Sequence, residues 1–159
     1  MADDTPKRFT LLYQLYLTNQ AARRFMRSAL SGTGMSGEEF ALLSYLYGNG
    51  PRTLSQAARD FGLAVTTVAT MLAPLLDAGE LERIPHPKDR RARLIRITES
   101  GRRRMHTAIP MYTEAYQSLL RQLDGLGQDP EAIFTALDRL RTGMIETIGR
   151  LEADRVRSA

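Results

Sequence analysis

Two short helical segments joined by a tight turn constrain most strongly what this chain can fold into. The first begins at Thr53, where Gln56 three residues later completes a capping box, and it ends near Gly62. The second spans about residues 65–78, and Gly79 follows where a helix C-cap glycine is expected. Two short helices with a glycine-containing turn between them are typical of a helix-turn-helix motif.

A predicted β-hairpin follows this motif directly. Two strand-like segments, at about residues 80–85 and 92–97, are rich in Leu and Ile. The sequence from Pro85 to Arg91 is basic and contains two prolines, as expected of a turn. A hairpin placed directly after a helix-turn-helix forms a wing. The pattern therefore predicts a mainly α chain with a small β-hairpin wing.

Basic charge is concentrated around this hairpin. Between Gly79 and Arg104 the chain has nine Lys and Arg residues against four Asp and Glu, whereas the whole chain has a net charge of +4. An isolated run of arginines is most often a solvated surface. Because this run lies on a predicted wing, it favours a nucleic-acid partner.

Helices with apolar stripes flank the predicted lobe. One is expected at residues 8–30, and another begins at Ser36, which has Glu39 as its capping-box partner. After the hairpin, a helix is expected from Thr98 to about residue 123, and a last helix begins at Asp129-Pro130 and runs to about residue 153.

The last two helices are longer than the small lobe can cover, since about 25 residues at 1.5 Å each extend about 38 Å. We therefore expect one domain, residues 1–159, that forms a two-fold homodimer. Residues 8–34 and 104–159 supply the dimerisation helices, and residues 35–103 form the winged helix-turn-helix lobe.

The composition excludes several functions. The chain has no cysteine, which excludes disulfides and thiol redox sensing, and His86 and His106 are too few for a histidine-rich metal site. No catalytic set or phosphate loop stands out, so we expect no catalytic residue, no metal, no cofactor and no enzymatic activity. No apolar run approaches the roughly 20 residues that span a bilayer, and the first residues are acidic and polar. We expect a cytoplasmic protein without a membrane partner.

The sequence from Asp89 to Gly101 resembles the wing signature of the MarR family, the multiple-antibiotic-resistance regulators. An Asp is followed after one residue by Arg91, then by a strand, and then by Thr98 and a glycine at the start of the next helix. The resemblance extends over nearly the whole chain. Four further positions match the family pattern: Gly79, Arg83, Pro87 and Pro110.

The resemblance implies a homodimeric transcriptional regulator, a repressor, that binds a pseudo-palindromic operator in double-stranded DNA. It also implies release of DNA by a small aromatic ligand bound between the dimerisation helices and the lobe. In the wing, it implies that Arg91 enters the minor groove and that Lys88, Arg90 and Arg93 contact phosphates. Asp89 is expected to brace the wing arginines by ion pairing, or alternatively only to hold the shape of the hairpin.

The predicted recognition helix departs from the family pattern. Ala64 stands where the family often has Ser, Val65 where it often has Arg, and Thr70 near another commonly basic position. Without Arg, the strongest contact to guanine is missing. Val65, Thr66, Thr67 and Thr70 can still contact phosphates, base edges and thymine methyls. We therefore expect DNA readout to depend on A·T steps, the wing and DNA shape.

These departures leave a second function open, a winged-helix protein-interaction module whose DNA binding is lost or non-specific. The ligand also remains open. Four tyrosines are candidates for its pocket, with ordinary core or interface packing as the competing interpretation for each: Tyr13, Tyr16, Tyr45 and Tyr112.

Overall fold

The computed structural model describes residues 5–157 and has a mainly helical fold with one small sheet. In chain order, the elements are α1 (Thr5–Ala29), α2 (Gly37–Asn49), β1 (Arg52–Thr53), α3 (Leu54–Phe61), α4 (Val65–Asp77), β2 (Leu81–Pro85), β3 (Arg93–Ile97), α5 (Glu99–Gly125) and α6 (Pro130–Arg157). The predicted fold class is confirmed, and each predicted element is present within a few residues of its expected bounds.

Both predicted capping boxes are present. At the start of α2, the Ser36 hydroxyl accepts the Glu39 N–H at 3.1 Å, and the Glu39 carboxylate accepts the Ser36 N–H at 2.7 Å. Thr53 and Gln56 make the same two bonds at the start of α3. Each box satisfies two backbone donors that the first helical turn leaves without a partner. By contrast, α4 begins after Ala64 without a side-chain cap.

Two glycines in the left-handed conformation end the paired helices. Gly62 follows α3 with φ 65°, and Gly79 follows α4 with φ 67°. Beyond Gly79, the Glu80 N–H donates to the Leu75 carbonyl at 2.9 Å, which completes a Schellman motif. The axes of α3 and α4 are bent by 111° relative to each other, in the range of a helix-turn-helix.

Within residues 5–157, no single helix is long and apolar enough to cross a membrane. The helices α3 and α4 taken together meet the requirement of length and composition, but they are the bent pair of the helix-turn-helix.

The sheet has three strands in the order β1-β3-β2, all antiparallel. The hairpin of β2 and β3 was predicted, whereas β1 was not. In β1, Arg52 pairs with Ile95 and Thr53 with Leu94. Because Thr53 is also the N-cap of α3, this short strand fixes the start of the helix-turn-helix on the base of the wing.

The hydrophobic core lies among α2, α3, α4, the sheet and the first half of α5. Leu43 and Val68 are fully buried, and Met105 of α5 is 1% exposed. Helix α4 contributes Val68, Leu72 and Leu75 to this core. Since these positions are three and four residues apart, they form one face of α4 and leave the opposite face in solvent.

The chain divides into two compact units, one up to Glu114 and one from Ala115 onward. In the second unit, no residue of α6 that the structure describes is buried. Several large apolar side chains of α6 are exposed: Phe134, Leu137, Met144, Ile148 and Leu151. The sequence-based division into dimerisation helices and a lobe remains a prediction.

The first turn of α5 is attached to the junction between α4 and β2. The Thr98 hydroxyl donates to the Gly79 carbonyl at 2.7 Å, and the Thr98 N–H donates to the Glu80 carbonyl at 2.9 Å. Gly101 is buried against the same carbonyl, where an added Cβ would lie 2.4 Å from the Glu80 oxygen. The close approach of these two backbones therefore requires a glycine.

Replacing Gly101 with Ala should lower the free energy of unfolding by about 2 kcal/mol or more, since the methyl group must push α5 away from β2. Urea denaturation measures the loss. Gly48→Ala is the matched control, because an added Cβ at helical Gly48 meets no atom within 4 Å. Equal stability of wild type and Gly101→Ala would contradict this account of the packing.

Candidate nucleic-acid interface

The face of α4 that does not enter the core carries a row of small polar side chains. Thr66, Thr67 and Thr70 are exposed, and Val65 at the first position of the helix is 44% exposed. The Thr70 hydroxyl donates to the Thr66 carbonyl at 3.0 Å, so its oxygen is left to accept a hydrogen bond from outside the helix. The predicted recognition residues therefore share one accessible helix face.

The predicted wing cations are exposed as well. Lys88, Arg90 and Arg91 lie in the loop between β2 and β3, and Arg93 begins β3. The Arg93 guanidinium donates to the carbonyls of Arg90 and Ala92, both at 3.1 Å, and so helps to fold the loop.

Asp89 shapes the wing through the backbone. Its carboxylate accepts the Arg91 N–H at 2.9 Å, which is the local bond of an Asx turn. Among the described residues, no ion pair joins Asp89 to a wing arginine, and of the two roles expected for Asp89 the observed bond corresponds to holding the shape of the hairpin. The physical reason is that a short Asp side chain reaches the N–H two residues ahead more readily than a guanidinium on the same tight turn.

The remaining acids of the basic segment neutralise arginines outside the wing loop. Glu82 pairs with Arg96 at 2.7 Å, and Glu99 lies 3.9 Å from Arg103. Glu80 pairs with Arg104 at 2.6 Å.

The wing cations have no such partner. Within residues 5–157, no carboxylate lies within ion-pairing distance of Lys88, Arg90, Arg91 or Arg93. The distribution of acids thus leaves positive charge on the wing.

Arg104 connects three segments around the lobe. Besides Glu80, its guanidinium contacts the Gly34 carbonyl at 2.7 Å and the Glu39 carboxylate at 3.2 Å. Burial lowers the pKa of Arg104, but its hydrogen bond to Glu80 and the two negative charges outweigh this and raise the pKa overall. Burial raises the pKa of Glu39, but the Ser36 N–H and Arg104 outweigh it and leave that pKa below its ordinary value. Arg104 and Glu39 therefore remain charged at neutral pH.

Arg83 is a candidate interface residue that the sequence analysis did not select. It is exposed on β2 and lines a cavity of about 300 Å³ together with Arg91 and Arg93. The only sequence signal was its match to the family pattern, which gave it no role.

The four candidate ligand tyrosines occupy different environments. Tyr45 donates to Asp60 at 2.6 Å and packs against Phe61 with the two rings tilted by 55°. Burial, followed by the bond and charge of Asp60, raises the pKa of Tyr45 to about 12. Tyr112 packs on Phe40 with ring centroids 4.8 Å apart. Tyr13 and Tyr16 are more than half exposed on α1.

A cavity of about 540 Å³ lies between α1 and the start of α2. Its walls include Met26, Met35 and Leu42. Arg23 and Glu38, which form an ion pair with each other, lie at its edge. None of the four tyrosines, all of which the structure describes, lines this cavity. The assignment of these tyrosines to a ligand site remains a prediction.

Comparisons with known proteins agree on one family. The MarR family model matches residues 33–92. The multiple antibiotic resistance protein MarR of Salmonella typhimurium is 28% identical over 87 residues, which are 55% of this chain and 60% of that protein. The match therefore spans less than two thirds of that relative's length.

Solved structures agree in fold. A mutant MarR from E. coli complexed with operator DNA has a TM-score of 0.71 at 19% identity, over 89% of this chain and 98% of that one. An organohalide-sensing transcriptional regulator in its 2,4-dichlorophenol-bound form has a TM-score of 0.70 at 16% identity, over 87% of this chain and 81% of that one. At these identities, the likeness establishes the fold alone. The family match, the relative and the fold agree: residues 33–92 match the MarR family model, and the chain shares the fold of MarR proteins.

Proposed function

We propose that this protein is a sequence-specific repressor that binds a pseudo-palindromic operator in double-stranded DNA as a homodimer. The observation that carries the proposal is the unpaired positive charge of the wing beside the exposed threonine face of α4. The proposal includes a cytoplasmic location, because the partner is operator DNA. It also includes the absence of catalytic activity.

The wing provides the electrostatic part of binding. Lys88, Arg90, Arg91 and Arg93 are exposed and have no carboxylate partner among the described residues. Cations that contact phosphates release condensed counterions from the duplex, and this release is a large part of DNA affinity. Arg91 is assigned to the minor groove, and the other three cations are assigned to phosphates.

Helix α4 provides the sequence readout in the major groove. Val65, Thr66, Thr67 and Thr70 present methyl groups and hydroxyls on the exposed face. Methyl groups suit contact with thymine, and hydroxyls can bond to base edges or phosphates. Because α4 contains no Lys or Arg, its base preference should favour A·T pairs over guanine.

Exposed apolar side chains on the terminal helices support the homodimer. Tyr13 and Tyr16 are more than half exposed on α1, as are Leu11 and Leu12. In the second unit, α6 exposes a separate apolar series that includes Leu137 and Ile148. Contiguous apolar surfaces of this kind mark protein interfaces, and a two-fold dimer matches the symmetry of a pseudo-palindromic operator. A dimer that covers such an operator excludes other proteins from the same DNA, which is the physical basis of repression.

Release by a small aromatic ligand is the final part of the proposal. The structural relative bound to 2,4-dichlorophenol provides the precedent, and the cavity of about 540 Å³ beside α1 has a suitable volume for such a ligand. The ligand must bind more tightly to a dimer geometry that does not fit the operator, because only differential affinity shifts the equilibrium.

The absence of basic residues on α4 favours a second candidate function, a winged-helix protein-interaction module with lost or non-specific DNA binding. The two candidates differ in salt dependence. The affinity of a DNA-binding protein falls linearly with salt on logarithmic axes, with a slope of about −0.9 per neutralised phosphate.

Replacing Arg90 and Arg91 together with Gln should lower operator affinity by about tenfold or more, since both charges lack a protein partner. The operator is obtained by selection from random duplexes, and affinity is measured by fluorescence anisotropy at several salt concentrations. Replacing the Glu82–Arg96 pair with two Gln residues is the control, because it removes a pair without changing net charge. An unchanged affinity of the Arg90 and Arg91 variant, or a wild type without salt-dependent binding, would refute DNA binding through the wing.

Replacing Leu137 and Ile148 together with Lys should convert the dimer to a monomer, because two charges enter an apolar interface. Sedimentation velocity measures the mass, and Glu146→Lys is the control, because it changes the net charge by the same amount, two units, at an exposed polar position of α6. A wild type that sediments as a monomer at micromolar concentration would rule out the homodimer.

A panel of substituted phenols and aromatic carboxylates should contain compounds that raise the melting temperature and weaken operator binding. A ligand at about 100 times its Kd stabilises the folded state by about 2.7 kcal/mol. Ala41→Phe, which places a ring in the cavity, should abolish the effect, and Ala41→Ser should keep it. Ligand release is refuted if no compound changes both melting temperature and operator affinity.

A further inference from the structure

The inner face of the sheet changes from apolar to cationic as it leaves the core. Alternate residues of a strand face the same side. On β2, Leu81 is 2% exposed in the core, and Arg83 is the next residue on that side. On β3, Ile97 and Ile95 are each 4% exposed, and Arg93 continues the same face toward the wing tip. The two strands therefore carry arginines at the point where the core ends.

These arginines border the cavity of about 300 Å³ at the base of the wing. The start of α3 forms one wall with Thr53 and Ser55, and the flank of α4 forms another with Ala69 and Leu72. The third wall is the wing, with three guanidinium-bearing residues: Arg83, Arg91 and Arg93.

The cavity has an excess of positive charge. In the part of the chain that the structure describes, no carboxylate lies within 4 Å of the guanidinium of Arg83, Arg91 or Arg93. Glu82, the neighbour of Arg83 on β2, is paired with Arg96 instead. Like charges that converge on a concave surface repel one another, and a bound anion removes this repulsion. Guanidinium groups suit phosphate in particular, because their N–H donors form a planar fork.

The position of the cavity indicates where the phosphate comes from. It lies between α4 and the wing, the elements assigned to the major groove and to the adjacent minor groove. In a duplex, a single sugar-phosphate strand separates these two grooves. With α4 and the wing in their grooves, that strand must cross the concavity between them.

We infer that this cavity binds the phosphodiester that separates the two contacted grooves, and that Arg83 is its main ligand. The inference rests on the proposed DNA binding and adds a site and a residue to it. Arg93 and the Ser55 hydroxyl complete the site, while Arg91 at the wing loop extends to the minor groove. Arg83 lies on β2, where it pairs with Ile95 of β3, so the sheet holds its backbone in place. Its contact with the phosphate therefore fixes how deeply the lobe sits on the DNA, but it does not distinguish one base sequence from another.

Replacing Arg83 with Gln should make the slope of log affinity against log salt shallower by about 0.9, the value for one phosphate contact. Affinity for the selected operator and for an unrelated duplex should fall by the same factor, because a phosphate contact carries no sequence information. Arg83→Lys should restore the slope. Arg103→Gln removes the same charge from a residue that faces Glu99 and should leave the slope unchanged.

A scan with methylphosphonates, which neutralise one phosphate at a time, locates the contact on the DNA. With wild-type protein, one position per half-site, on the strand between the contacted grooves, should lower affinity. The Arg83→Gln variant should be insensitive to that substitution, while its melting temperature stays that of wild type.

The outcomes separate the two proposals. If the wild type fails to bind duplex DNA with salt dependence, the proposed function fails. If the wild type binds but Arg83→Gln keeps its slope, or the wild-type scan finds no sensitive phosphate between the grooves, the phosphate site is wrong and DNA binding stands.

Discussion

The contact between α5 and the Gly79–Glu80 junction holds the lobe together. Helix α4 and the wing meet at this junction, and α5 binds it through the Thr98 hydroxyl, the close approach of Gly101 and the Arg104–Glu80 ion pair. The Glu80 side chain is only 12% exposed, so the pair is largely desolvated, and an uncompensated charge there would be costly. Arg104 also bonds to the Gly34 carbonyl and to Glu39 at the start of α2. Helix α4, the wing and the start of α2 are therefore fixed to one segment of α5.

The placement of acids separates structural arginines from those available to a ligand. Arg96 and Arg104 belong to the same basic run as the wing cations, yet each has a carboxylate partner in the protein. A count of charges along the sequence cannot distinguish the two groups, because the partner of Arg104 is 24 residues away. Once these pairs are formed, the positive charge of this run that lacks a carboxylate partner among the described residues lies at the wing loop, at the base of the wing and at Arg102, which sits over the Tyr47 ring. The fold therefore concentrates most of the uncompensated positive charge of this basic segment on the wing.

Features fixed by neighbouring residues were predictable, and features fixed by distant contacts were not. Capping boxes at Ser36 and Thr53 and the helix end at Gly79 depend on bonds within a few residues, and the sequence predicts each of them. Strand β1 has only two residues and exists because β3 offers it a partner. Tyr45 illustrates the same limit at the candidate site, because its partner Asp60 is 15 residues away on α3. The exposure of α4 threonines was predictable from helical periodicity, whereas the cavity at Arg83 depends on three elements meeting.

The chemistry of α4 determines which part of DNA binding the helix can provide and which part the wing must provide. A helix with threonines and no cation can distinguish bases by methyl contacts and hydroxyls, but it adds no net charge to attract phosphate. Attraction must then come from the wing and its base, where arginines lack a carboxylate partner among the described residues. Such a protein should bind many duplexes through phosphate contacts and select among them by smaller differences, through thymine methyl groups and groove shape. In the proposed homodimer, two lobes acting together would multiply those small differences, because a pseudo-palindromic site would satisfy both α4 helices at once. Specificity in this fold would therefore depend on the pairing of two copies as much as on any single side chain.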